Sequence, residues 1–151
     1  MMELKQQLQV LVDEAAEHGI APAIIENAIA PVFEVVARQL QHLEYYVLQN
    51  LSEDWVISVI NNGDREKKVI YAFTTVRDAK LKIGQESDIV AISLPVVQIL
   101  FRLFSVGQID SIIFFEQAGN TSGGVELKRR DLQNSLQQQL QQLKATPSDI
   151  A

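Results

Sequence analysis

The hydrophobic period of this chain changes abruptly near residue 42, and that change sets the fold class. Before it, Leu4, Leu8, Leu11, Val12 and Ala15 recur at helical spacing, with Lys5, Gln6, Gln9, Asp13, Glu14 and Glu17 on the other side. After it, Tyr45-Tyr46-Val47-Leu48 and Trp55-Val56-Ile57-Ser58-Val59-Ile60 bring in aromatic and β-branched residues, the composition of strands. Helices segregated at the front, with mixed connections behind, favour an α+β domain over a doubly wound sheet.

The helical part covers residues 3–41. A first helix over 3–18 stops at His18-Gly19-Ile20, where Gly19 accepts the left-handed conformation and Ile20 folds back onto the last turn. Pro22 suits the first turn of a second helix. Pro31 either kinks that helix or begins a third, and the pattern runs on through Val32, Phe33, Val35, Val36 and Leu40 to about Gln41. Asn61-Asn62-Gly63-Asp64 is a turn and Lys67 to Phe73 a third strand, so residues 43–73 read as an antiparallel three-strand meander.

Mixed segments follow. Thr75-Val76-Arg77-Asp78 fits a capping box that opens a short helix closed by Gly84. Asp88 to Leu94 is a nearly continuous apolar run, expected of a strand buried on both faces. Pro95 starts a helix in which Val96, Val97, Ile99, Leu100, Phe101, Leu103, Phe104 and Val106 leave only Gln98, Arg102 and Ser105 for water. Leu100 and Phe104 are therefore expected in the core or an obligate interface. After Gly107 come a strand over Ser111 to Glu116, a flexible loop over Ala118 to Gly124, and a short strand from Val125 to Lys128. Asp131 caps a terminal helix carrying Leu132, Leu136, Leu140 and Leu143, and residues 146–151 form a frayed tail.

The order is αα–βββ–α–β–α–β–β–α. Residues 1–151 read as a single α+β domain: two N-terminal helices, the meander, then mixed α/β segments over 43–144 with a C-terminal helix packed on one sheet.

Several kinds of chemistry have no residues to carry them. Cys is absent, which excludes disulfides, thiolate catalysis and Cys-based metal sites. His18 and His42 lie in separate segments without partners at ligand spacing, and His18 suits the last carbonyls of its helix instead. The Gly119 to Gly124 loop contains no Lys and feeds a strand, so it reads as a hairpin loop and not a phosphate cradle. The pairs Asp13-Glu14, Glu53-Asp54 and Glu86/Asp88 fall on helix surfaces and turns, where carboxylates stay solvated. Basic clusters at Arg65/Lys67/Lys68, Lys80/Lys82 and Lys128-Arg129-Arg130 are short, and the chain carries a net charge of −6. Nucleic-acid binding is not expected on that balance, and Tyr45, Tyr46 and Trp55 are assigned to packing. The polar start at Met1-Met2-Glu3 has no signal-peptide core, and Gln98, Arg102 and Asp110 interrupt the apolar stretches, so the expectation is a cytoplasmic protein with no membrane span. No residue is assigned a catalytic, cofactor-binding or metal-ligating role, and no cofactor is expected.

From Val69-Ile70-Tyr71-Ala72-Phe73-Thr74-Thr75 onward, through Ser93-Leu94-Pro95 and Asp110-Ser111-Ile112-Ile113-Phe114, the chain resembles SseB-type proteins over residues 69–143. That family's Asn-Pro-Gly-like segment is replaced here by Gln117-Ala118-Gly119-Asn120. The resemblance implies an α+β fold and a role without catalysis, and transfers no site. The Gln-rich helices also resemble those of cyanobacterial proteins.

The functional expectation is a non-catalytic, cytoplasmic protein-interaction or assembly module. Leu stripes flanked by Gln on the 3–18 and 131–144 helices point to a homodimer, because neutral amides desolvate more cheaply than charges. The alternative is a small-molecule-sensing domain with an apolar pocket near Trp55, Tyr71 and Phe101.

Overall fold

The computed structural model describes residues 2–121 and 123–145; the tail expected over 146–151 lies outside the described residues. Among these, five helical runs and six strands follow in the order read from the sequence, and the architecture is α+β.

Helix α1 spans Leu4–Asp13 and opens with a capping box, the Glu3 N–H donating to Gln6 Oε1 at 3.0 Å. The helix expected over 3–18 is shorter, because its last turn, Ala15–His18, tightens to 3₁₀ geometry. Gly19 then takes φ 70°, and the Ile20 N–H returns to the Ala15 carbonyl at 3.1 Å, the stop that the sequence signals.

Pro22–Ile24, a π-helical turn at Ile25–Ile29, and Ala30–Gln39 form one run, α2. It ends at Gln39, short of Gln41. Pro31 neither ends this helix nor begins another. It brings no N–H to the Asn27 carbonyl, and the helix widens just before it. That carbonyl instead accepts a hydrogen bond from Gln139 Nε2 at 3.1 Å.

The strands are β1 Glu44–Asn50, β2 Ser58–Asn62, β3 Arg65–Phe73, β4 Ile89–Pro95, β5 Ser111–Phe114 and β6 Val125–Lys128. They form one mixed sheet in the order β4-β1-β3-β5-β6, with β2 pairing β3 and only β3–β5 parallel. The meander over 43–73 needs correction. Strands β1 and β3 pair directly at Tyr46↔Phe73 and Val47↔Ala72. The segment between them meets β1 through one isolated bridge, Gln49↔Trp55, flanked by the Val56 N–H to the Leu48 carbonyl and the Asn50 N–H to the Asp54 carbonyl. Asn50 causes this: its side-chain oxygen accepts the Ser52 and Asp54 N–H groups at 2.9 and 3.0 Å, folding the chain into a tight turn with Glu53 at φ 67°. The strand expected over Trp55–Ile60 therefore starts late, at Ser58, and the β2–β3 turn shrinks to Gly63-Asp64.

Strand β4 corrects a second expectation. It is not buried on both faces but stands at the sheet edge, with Val90 and Ser93 exposed and the rest half-buried.

The remaining helices are α3 Val76–Ile83, α4 Val96–Ser105 and α5 Arg129–Ala145. Because α5 begins at Arg129, Asp131 lies in its first turn and is not its cap. Helices α1, α2, α4 and α5 join one face of the sheet in the main core, where Ile25, Phe33, Tyr45, Ile70, Leu100 and Phe114 are buried. Leu100 is fully buried and Phe104 half-buried. Leu11, Leu132 and Leu136 spend most of both Leu stripes on this core, leaving Leu143 exposed. The other face packs a smaller cluster of Leu48, Phe73, Ala79 and Phe115 under α3.

Candidate cleft beside helix α3

Alternation along the strands decides what lines the second face. On β3, Ile70 and Ala72 point into the main core, so Tyr71 and Phe73 point the other way. The parallel register Tyr71↔Ile113 and Ala72↔Phe114 brings Phe115 beside them. Tyr71 and Phe115 stack with centroids 5.6 Å apart and planes at 15°, and Phe73 lies 5.3 Å from Phe115.

Helix α3 packs over β4, β1 and β3 and stops short of the far side of the sheet. Beside it lies an open cleft of about 810 Å³, with half-buried Tyr71 and the buried Phe73 and Phe115 at its base and Thr75, Arg77, Leu81, Lys82 and Gly119 around it. Lys82 Nζ stands 5.1 Å from the Tyr71 ring centroid, within cation–π range. Leu81 is 73% exposed.

The walls are held by hydrogen bonds. Thr75 Oγ1 caps α3 by accepting the Asp78 N–H at 3.2 Å, as the sequence signals. The reciprocal half of the box is not made: Asp78 is 4% exposed and its Oδ2 accepts the Gly119 N–H at 2.9 Å. The Gly119 loop is thereby tied to α3, and the β5–β6 pairing makes it the hairpin loop read from the sequence. Its other end is anchored through Glu116. That carboxylate accepts the Gln41 N–H at 2.9 Å and a short hydrogen bond from the Tyr45 hydroxyl. Burial first, then the hydrogen bond and charge of Glu116, push the Tyr45 phenol well above the ordinary phenol range.

The other candidate residues are dispersed. His42 Nε2 lies 2.9 Å from the Glu116 carbonyl, which it reaches only as a donor, and the His18 ring lies 4.5 Å from that of Phe101. Among the described residues no group of three or more Asp, Glu or His comes together as a metal site. Asp13, Glu53, Asp54, Glu86 and Asp88 are exposed and Glu14 half-buried. Two basic clusters do meet, as Arg65, Lys67, Lys128 and Arg130, but around Asp110 and Glu66. Lys67 is ion-paired with Glu126, whose carboxyl, despite partial burial, is held below its usual range by hydrogen bonds and positive charges. No helix among the described residues is long and apolar enough to cross a membrane.

The pocket expected near Trp55, Tyr71 and Phe101 does not form from those three. Trp55 and Phe101 belong to the main core, with the Arg102 guanidinium 4.7 Å from the Trp55 ring, while Tyr71 lies on the opposite face. Sequence reading missed Arg77, Leu81 and Phe115 as cleft residues. The adjacent aromatic pair Phe114-Phe115, one for each face, was the available signal. No protein-family model and no curated protein matches the chain.

Proposed function

We propose that this chain is a non-catalytic, cytoplasmic protein-interaction or assembly module that works as a homodimer and receives a protein partner in the cleft beside α3. The cleft carries this reading: half-buried Tyr71 stacks on buried Phe115 at its base, and exposed Leu81 borders it. Arg77 and Lys82 border it and form no ion pair among the described residues, so a segment with an apolar anchor and a nearby carboxylate complements the site. The resemblance of residues 69–143 to SseB-type proteins favours the same class of role.

A photo-crosslinking residue in place of Leu81 tests the proposal in cells. The expected product is an adduct with another protein, lost when Lys82→Glu reverses the local charge. An enzymatic turnover abolished by a polar substitution near Gly119 to Gly124 would defeat it. The second reading, small-molecule sensing, draws on the cleft volume, which lies within the range of ligand pockets. A small molecule retained by the purified protein in native mass spectrometry would favour that reading.

A further inference from the structure

Strand β4 is a seven-residue sheet edge with no charged side chain, Ile89-Val90-Ala91-Ile92-Ser93-Leu94-Pro95. Exposed edges invite pairing with another strand, and proteins normally guard them with charges, bulges, proline or very short length. Here the register with β1 runs without a bulge from Asn50↔Ile89 to Glu44↔Pro95, and the only proline is the last residue. The other free edges are guarded. Strand β6 has four residues, including Glu126 and Lys128, while β2 ends in Asn61-Asn62 beside the charged run Arg65 to Lys68.

The ladder phase tells which groups face outward. The Val96 N–H donates to the Leu43 carbonyl at 2.9 Å, in phase with the pairs Tyr45↔Leu94, Val47↔Ile92 and Gln49↔Val90. In an antiparallel ladder bonded pairs alternate, so Leu94, Ile92 and Val90 bond to β1. The N–H and C=O groups of Ile89, Ala91 and Ser93 therefore point away from the sheet. Pro95, which has no N–H to offer, closes the series.

We infer that β4 pairs antiparallel with β4 of a second copy about a two-fold axis at Ala91, joining two sheets into one. This rests on the homodimer reading above and gives it a location. With Ala91 opposite Ala91, Ile89 of each copy faces Ser93 of the other, and the three outward residues of each strand form a ladder of about six hydrogen bonds. Val90, 40% exposed in the single chain, lies opposite Ile92 of the second copy and gains an apolar neighbour. Charge permits the same occupant. Two chains of net charge −6 repel, and β4 is where they can approach without placing like charges opposite each other.

The chain has no Cys, so an introduced one reports cleanly. Cα atoms of a bonded antiparallel pair stand about 5.5 Å apart, within disulfide reach. Sedimentation equilibrium of the full chain at micromolar concentration should give the dimer mass, and Ala91→Cys should oxidise to a covalent dimer while Leu51→Cys does not. Val90→Lys and Ala91→Pro should each yield folded monomers by circular dichroism and mass, since Pro at an outward position removes no bond to β1. A wild-type monomer would overturn the homodimer reading itself. A wild-type dimer that persists in Val90→Lys and forms no Ala91→Cys disulfide would overturn the β4 assignment alone, and its loss in Leu143→Asp would move the interface to α5.

Discussion

Gln7 and Val97 lie ninety residues apart in sequence, and the Gln7 side-chain oxygen accepts the Val97 N–H at 3.0 Å in the interior. The same amide donates through Nε2 to the Met2 and Leu43 carbonyls at 2.9 and 3.0 Å. Val97 is in the first turn of α4, where N–H groups have no partner within the helix. One glutamine of α1 thus supplies the cap that Pro95 cannot, and ties together α1, the start of β1 and α4.

Gln7→Ala should cost about 1–3 kcal/mol, because buried backbone groups lose their partner. Gln9→Ala, two positions away, removes only an exposed bond to Asp13 and should stay within about 0.5 kcal/mol. Urea denaturation of both variants measures the difference. Equal effects would show that the Gln7 contacts add nothing to stability.

Leu100→Ala should cost about 2–5 kcal/mol, since that side chain is fully enclosed. Phe104, one turn away and half-buried, should cost roughly 1–2 kcal/mol on truncation. Losses below about 1 kcal/mol at both positions would mean that α4 is loosely packed.

The Asn27 carbonyl links Pro31 to the terminal helix. Gln139→Ala should destabilise by about 0.5–1.5 kcal/mol in the wild-type chain. With Pro31→Ala in place, residue 31 has an N–H to offer that carbonyl, and the Gln139 effect should shrink by about 0.5 kcal/mol or more. Additive effects in the double-mutant cycle would sink the idea.

How legible these features were depends on the range of the interaction behind them. Stops and caps set by neighbouring residues, as at Gly19, Pro22, Thr75 and Gly84, were readable because the signal lies within one turn of chain. The α+β order was readable from the change of period. Whether β4 was central or an edge was not, because an apolar run looks the same whether its second neighbour is a strand of the same chain or nothing. Gln7 could not be told from Gln6 or Gln9, since its burial depends on Leu43 and Val97. The cleft follows from the parallel pairing of β3 with β5, which no local pattern announces.

Gly123 and Gly124 read alike in the sequence but stand in different surroundings. A Cβ on Gly124 would sit 2.8 Å from the Phe114 carbonyl oxygen and 2.9 Å from Ile113 Cγ2, while one on Gly123 meets nothing within 4 Å. Gly124→Ala should therefore cost about 1–3 kcal/mol through forced backbone movement beside the cleft. Gly123→Ala should stay within about 0.5 kcal/mol. Thermal unfolding of the pair measures the difference, and equal effects would show that the close approach at Gly124 costs nothing.

Tyr45 gives the chain an alkaline limit. Its ring is fully buried, and its hydroxyl donates to the Glu116 carboxylate, so ionisation would set two negative charges together. The unfolded phenol releases its proton near pH 10.0, while the folded one retains it well above that. The folded state then holds more protons than the unfolded, so this contribution is intact below pH 10.0 and falls as pH rises beyond it. Tyr45→Phe should cost about 0.5–1.5 kcal/mol near neutrality, from the lost hydrogen bond. It should also flatten the alkaline decline, so the two stability curves converge above pH 10.0. Denaturant melts across that range, with the tyrosinate ultraviolet band followed in parallel, check both parts. One tyrosine should ionise only as the chain unfolds, and curves that stay parallel would show that Tyr45 is not the group responsible.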